Sequence, residues 1–295
     1  MKTYVISGAT GFIGRTIIDL LLARGDAVIA LVNPGSPRVA VLPTHENLTI
    51  LPLSLASFEA YEPTAHADAF LHLAWAKTSA DARDDTKTQL QNVVYTQDAL
   101  ALAARFGCEV FVGAGSQAEY GIAKAPLTGN SPTDPQSGYG IAKYAAGKLS
   151  RLAAKQLGIR HCWARILSIY GKGDSESTLI SYLTRTLREG GIPELTPCEQ
   201  TWDYLHVSDA ARALIAIADR GKDGKVYPIG SGAPRSLRAY VECLRDAVAP
   251  TGEIRFGARE YYPHQPMLLC ADIRELTADT GFAPAISFEE GVQTL

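Results

Sequence analysis

The run Gly8-Ala9-Thr10-Gly11-Phe12-Ile13-Gly14 constrains this chain more than any other stretch. It follows directly on the apolar, β-branched segment Thr3–Ser7 and opens the helical pattern Phe12–Arg24. Three glycines at a strand-to-helix junction let the backbone turn tightly and let the helix pack closely on the strand. The junction also leaves the first N–H groups of the helix free, at the positive end of its dipole, where phosphate oxygens bind well. The spacing is GxxGxxG rather than the commoner GxGxxG, but the physical need is similar. Such a unit predicts a dinucleotide site, with Gly8, Thr10, Gly11, Phe12, Ile13 and Gly14 around the pyrophosphate.

The pattern recurs along the chain. Strand candidates Ala27–Val32, Leu48–Leu53, Ala69–Leu73, Glu109–Gly113 and His161–Ile166 carry consecutive apolar residues, as strands covered on both faces do;. Helical patterns Phe12–Arg24, Lys87–Phe106 and Tyr139–Leu157 lie between them and stop at Gly25, Gly107 and Gly158;. Alternating strands and helices predict an α/β, Rossmann-type doubly wound parallel sheet with right-handed crossovers. Beyond residue 170 loops surround helical patterns near Thr178–Glu189, Ser208–Arg220 and Leu237–Val248, with one strand at Val226–Ile229. The expectation is a dinucleotide-binding domain over 1–170, taking in 203–229 as well, and a smaller C-terminal substrate lobe over 171–295.

Composition narrows the class. Of 295 residues, 46% are hydrophobic and 20% charged, which suits a large core and argues against disorder;. A net charge of −3 without a polybasic run lacks the footprint of a nucleic-acid or anionic-membrane partner;. No stretch nears the ~20 apolar residues of a membrane span, and the N-terminus is broken by glycines too soon for a signal peptide. Five scattered cysteines without CxxC spacing and six scattered histidines predict neither a disulfide scaffold nor a metal site, and a cytoplasmic setting;.

The end of the second strand usually bears an acid for the ribose 2′-hydroxyl. Asn33 stands there, followed by Ser36 and Arg38, with Arg15 at the start of the first helix. Asparagine does not repel a 2′-phosphate and arginine binds one, so NADP is favoured, with NAD the alternative.

The pentapeptide Tyr-Gly-Ile-Ala-Lys occurs twice, at 120–124 and 139–143. Acid–base work needs Tyr and Lys on one helical face, which i, i+4 spacing supplies only inside a helix. Pro126 and the turn residues Thr128–Pro132 cut the first copy off, whereas the second continues to Leu157;. Tyr139 and Lys143 are therefore the candidate pair, Tyr120 a packing residue and Lys124 a surface charge. A neighbouring ammonium and an oxidised nicotinamide would lower the phenol of Tyr139 from its ordinary value near 10. Ser116, after the fifth strand, can hold a substrate oxygen opposite Tyr139, and Glu119 reads as an exposed loop carboxylate, with a functional role the alternative.

Gly8-x-x-Gly11-x-x-Gly14, Ser116 and Tyr139-x-x-x-Lys143 resemble the extended short-chain dehydrogenase/reductases of the NAD-dependent epimerase/dehydratase family. His72-Leu73-Ala74, Asn92-Val93-Val94-Tyr95-Thr96, Arg165 to Gly171 and Asp203 to Ala210 follow its further motifs in order. The resemblance implies that Leu73, Ala74 and Asn92 also flank the cofactor and that Lys143 holds the nicotinamide ribose. It implies a nucleotide-sugar substrate and a homodimer formed through a helix bundle. Gln117 and Ala118 replace the Asp-Glu pair of the sugar 4,6-dehydratases, Trp202 replaces an arginine that often grips the diphosphate, and Ser168 replaces an asparagine. The expected activity is NADPH-dependent reduction of a nucleotide-linked 4-keto-6-deoxysugar. An epimerase with tightly held NAD is the alternative, and a non-catalytic NADP-binding regulator the third reading. The loops Lys77–Asp85, Lys172–Ser177 and Pro193–Trp202, with Arg235 and Arg238, are expected to line the substrate pocket.

Overall fold

A computed structural model describes residues 1–78, 82–263 and 265–295. Seven parallel strands form one sheet: β1 (Thr3–Ser7), β2 (Ala27–Val32), β3 (Leu48–Pro52), β4 (Ala69–His72), β5 (Val110–Ser116), β6 (Arg160–Ile166) and β10 (Val226–Ile229). Their spatial order is β10-β6-β5-β4-β1-β2-β3. The order reverses between β1 and β4, which pair side by side. A reversal of this kind opens a crevice at the carboxyl ends of the strands, where ligands of such sheets bind.

Helices cover both faces. On one side lie α1 (Phe12–Ala23) and α5 (Val207–Arg220), whose apolar faces join the sheet in a large core that includes Ile17, Leu21, Leu214 and Ile217. On the other lie α2 (Thr86–Arg105) and α3 (Gly138–Leu157), packed against each other and on the sheet through Leu100, Ala103 and Ala154. The expectation of strands buried on both faces holds for β4 and β1 and fails for β3, the sheet edge, where Thr49, Ile50 and Pro52 are exposed. Gly25, Gly107 and Gly158 follow the three helices with φ between 69° and 83°, the left-handed region glycine enters without steric cost;.

After β7 (Ser168–Tyr170) the chain leaves the sheet and forms α4 (Leu179–Arg188) and β8 (Thr201–Trp202). It returns through β9 (Tyr204–His206), which pairs with β7, then through α5 and β10. The short β11 (Arg235–Ser236) pairs with β8 and leads into α6 (Leu237–Val248), α7 (Arg274–Thr280) and α8 (Phe288–Val292). Tyr170, Leu183, Tyr240, Leu244 and Phe288 form a separate apolar cluster among α4, α6 and α8. No helix among the described residues is long and apolar enough to cross a membrane.

Candidate active site

The glycine loop is as tight as its spacing predicts. Gly8 turns with φ 74°, and a Cβ there would stand 2.8 Å from the backbone nitrogen of Ala74 on the neighbouring strand end. A Cβ on Gly14 would lie 2.3 Å from the carbonyl oxygen of Gly8, so α1 approaches β1 closer than any side chain allows. α1 starts without a side-chain cap and without an acid in its first turn. Its leading N–H groups, on Phe12, Ile13 and Gly14, are left for a pyrophosphate.

The loop opens into a cleft of about 360 Å³ at the reversal point of the sheet. Gly8, Thr10, Gly11, Asn33, Arg38, Leu73 and Ala74 line it, gathered from the ends of β1, β2 and β4. Asn33 and Arg38 are both exposed at its rim. Arg15 does not join them: its guanidinium donates to the carbonyl of Lys172 at 2.7 Å. Asn92 lies buried behind the cleft, its amide donating to the Ala76 carbonyl at 2.9 Å and accepting from the Ala76 N–H at 2.8 Å. It shapes the wall instead of facing the space. Gln89, one turn earlier on α2, does similar work, accepting from the Trp75 indole at 2.9 Å. Leu53, Leu55 and Phe58 close the far end of the cleft. Their signal in the sequence was the apolar stretch just past the third strand, which no motif marks. These features fit a nicotinamide dinucleotide, which Gly8 to Gly14, Asn33, Arg38, Leu73 and Ala74 would hold.

β5 runs three residues further than its apolar pattern indicated, to Ser116, because Gly113 and Gly115 make room for the Trp163 ring on β6. Ser116 then caps a short 3₁₀ turn, 117–119. Its side chain neighbours the Tyr139 phenol, on the first turn of α3. A Cβ on Gly140 would stand 2.5 Å from the Ala118 carbonyl, so α3 seats directly on that turn. Lys143, one turn on, is buried and donates to the Ala114 carbonyl at 2.6 Å. Its ammonium lies 3.8 Å over the Trp75 ring and 5.8 Å from the centre of the Tyr139 ring.

The other copy of the pentapeptide stays in the loop after the 3₁₀ turn. Tyr120 is buried there, its ring 4.4 Å under the Arg165 guanidinium and its hydroxyl donating to Thr128, while Lys124 is exposed.

Two expectations are corrected. Glu119 is fully buried, paired with Arg165 at 2.7 Å. Its burial was hidden because the partner lies 46 residues away. The Tyr139 phenol is not lowered. Burial pushes it up, against the smaller effects of Ser116 and Arg83, whose guanidinium stands 5.3 Å over its ring. Burial also drives the Lys143 ammonium down to about 7;.

Of the expected substrate loops, residues 79–81 lie outside the described residues. Trp202 and Ser168, two departures from the family pattern, bind each other, indole to hydroxyl at 2.8 Å. Arg235 pairs with Glu289, and Arg238 stacks 3.8 Å over Phe256 and donates to the Pro197 carbonyl. Neither is a free cation awaiting a diphosphate.

Comparison with known proteins shows the family and the fold. The family model described as "NAD dependent epimerase/dehydratase family" matches residues 4–230. The dTDP-6-deoxy-L-talose 4-dehydrogenase (NAD(+)) of Aggregatibacter actinomycetemcomitans is 27% identical over 81% of this chain and 87% of its own length. The dTDP-glucose 4,6-dehydratase of Streptomyces griseus is 29% identical over 99% and 92%. Among solved structures, a UDP-N-acetylglucosamine 4-epimerase from Methanobrevibacter ruminantium M1, in complex with UDP-N-acetylmuramic acid, superposes with a TM-score of 0.89 at 22% identity, covering 99% of this chain and 96% of that one.

Proposed function

Because the chain belongs to the NAD-dependent epimerase/dehydratase family, as an NAD(P)-dependent enzyme of the extended short-chain dehydrogenase/reductase type, we propose that it reduces a nucleotide-linked 4-keto-6-deoxysugar with NADPH. One observation carries the reading: Trp75, which lines the dinucleotide cleft, has its ring 6.0 Å from that of Tyr139 and 3.8 Å from the Lys143 ammonium, and Ser116 neighbours the phenol from the end of β5. Ser116 holds the sugar carbonyl oxygen, and Tyr139 donates a proton to it. A phenol held up by burial stays protonated at neutral pH, so it carries the proton to be donated, as a weaker acid than a free phenol;. Lys143 takes the ribose hydroxyls. When bound, the nicotinamide supplies the hydride that reaches the carbonyl carbon.

Gln117 and Ala118 offer no acid–base pair for eliminating water, which argues against a dehydratase despite the 29% relative. Asn33 and Arg38 at the rim support NADP over NAD, although one relative's name specifies NAD(+);. The same reading divides the chain into a dinucleotide unit, 1–170 with 203–229, and a substrate lobe, 171–295. Exposed apolar residues on the outer sides of α2 (Leu90, Val94) and α3 (Ile141, Leu149, Leu152) support a homodimer through these helices;. Five free thiols support a reducing, cytoplasmic setting;.

The test is a panel of nucleotide-linked 4-ketosugars assayed for NADPH oxidation. Stoichiometric consumption with one of them is expected. Copurified, non-exchanging NAD⁺ with no net consumption would make the protein an epimerase instead.

A further inference from the structure

Beneath the Ser116–Tyr139 pair lies a buried charge that the reaction above does not use. The Glu119 carboxylate, fully shielded from solvent, ends the 3₁₀ turn that Ser116 caps. One oxygen accepts from the Ser116 backbone N–H at 2.8 Å and from the Trp163 indole at 2.9 Å. The other accepts from Arg165 at 2.7 Å. The indole is itself a spacer. A Cβ on Gly113 of β5 would lie 2.1 Å from its ring, and one on Gly147 of α3 would lie 2.7 Å from it. Gly147 is two turns along the helix from Tyr139. The carboxylate thus bonds the strand end that carries Ser116 to the ring that sets the distance to the helix carrying Tyr139.

We propose that Glu119 is a positioning residue for this pair: its carboxylate locks the Ser116 backbone and the Trp163 indole into one frame. The inference rests on the function proposed above. The charged and titratable groups around the carboxylate are Lys143, Tyr139 and Tyr144 from α3, Arg165 and His161 from β6, and Tyr120 from the loop. Lys148 and Arg151 of α3 line the small gap beside it. Burial drives Lys143 down to about 7, and the Glu119 charge opposes that shift. The same charge pushes Tyr139 up. Stability alone is a poor reason for such a pair, since a buried ion pair is often matched by apolar residues of similar size.

Two variants test it, Glu119→Gln and the double variant Glu119→Gln with Arg165→Met. The first keeps an acceptor for Ser116 and Trp163 but strands a buried guanidinium, so it can lose its fold. The second removes both charges and keeps the test open. Lysine-selective NMR, with Lys143→Met for assignment, follows the Lys143 titration directly. Its midpoint is expected to fall by about one pH unit in Glu119→Gln and by less in the double variant, where loss of the Arg165 charge offsets part of the change. The kcat for ketosugar reduction is expected to drop about tenfold near pH 8 and far less near pH 6, with KM and the NADPH Kd changed less than about twofold. A lowered Tm with the Lys143 midpoint and the alkaline limb of kcat in place would overturn the proposal. If wild-type protein reduces no ketosugar, the function above fails, while the lysine titration still decides the role of Glu119.

Discussion

Lys143 sits between two demands that burial sets against each other. Its ammonium is enclosed by the Ala114 carbonyl, the Trp75 ring and the helix backbone, which lowers it to about 7. It also lowers His72, already neutral through burial, to about 3. The site therefore concentrates polar groups where water is scarce, and each is strong because it is unscreened. Tyr139→Phe should fold and bind cofactor with unchanged Kd, while turnover falls by about 10² to 10⁴, the range of one general acid. Single-turnover kinetics with saturating NADPH checks this, and near-normal turnover would remove Tyr139 from its role. At the other end of the cleft, Arg38→Ala should raise the NADPH Kd by about tenfold and leave the NADH Kd almost unchanged, the loss of one charge-assisted contact. Equal effects on both cofactors, measured by fluorescence titration, would show that Arg38 meets no 2′-phosphate.

The strand–loop–helix unit at the N-terminus shows why some elements can be read from residues alone. Gly8, Gly11 and Gly14 report a backbone-to-backbone approach, which is a local property of the chain. Gly14→Ala would place a methyl group 2.3 Å from a carbonyl oxygen. It should destabilise by on the order of 3 kcal/mol and weaken dinucleotide binding, read by denaturant unfolding and Kd together. The two identical pentapeptides were separable for the same reason, because proline and turn residues after Lys124 act locally. What stayed hidden depends on distant partners. The extension of β5 to Ser116 needs the Trp163 ring beside Gly113 and Gly115, and the burial of Glu119 needs Arg165. Asn92 was expected to flank the cofactor, and its bonds to Ala76, which set it into the wall behind the cleft, required the loop to be seen.

At the scale of the molecule, acid should act first through its buried imidazoles. His72 and His161 are held near 3 and 4 by burial, below the ordinary value of 6.5. The unfolded chain therefore binds protons that the fold refuses. The histidine contribution is complete above about 6.5 and falls as pH drops toward 4, by about 1.4 kcal/mol per pH unit for each histidine. Urea unfolding across this window should give that slope, and a double His72→Gln, His161→Gln variant should flatten it. If α2 and α3 form the dimer, Leu152→Glu should yield a monomer by sedimentation while both faces of the sheet stay packed;.

One consequence of the strand order concerns synthesis. β6 borders β5 on one side and β10 on the other, and β10 is contributed by residues more than fifty positions later, after the excursion through α4. Until the ribosome has extruded that later segment, β6 presents an open row of amide and carbonyl groups to any neighbouring polypeptide. A nascent chain halted near residue 170 is thus exposed to sticking to its own kind, and chaperone demand should peak in that interval rather than after release.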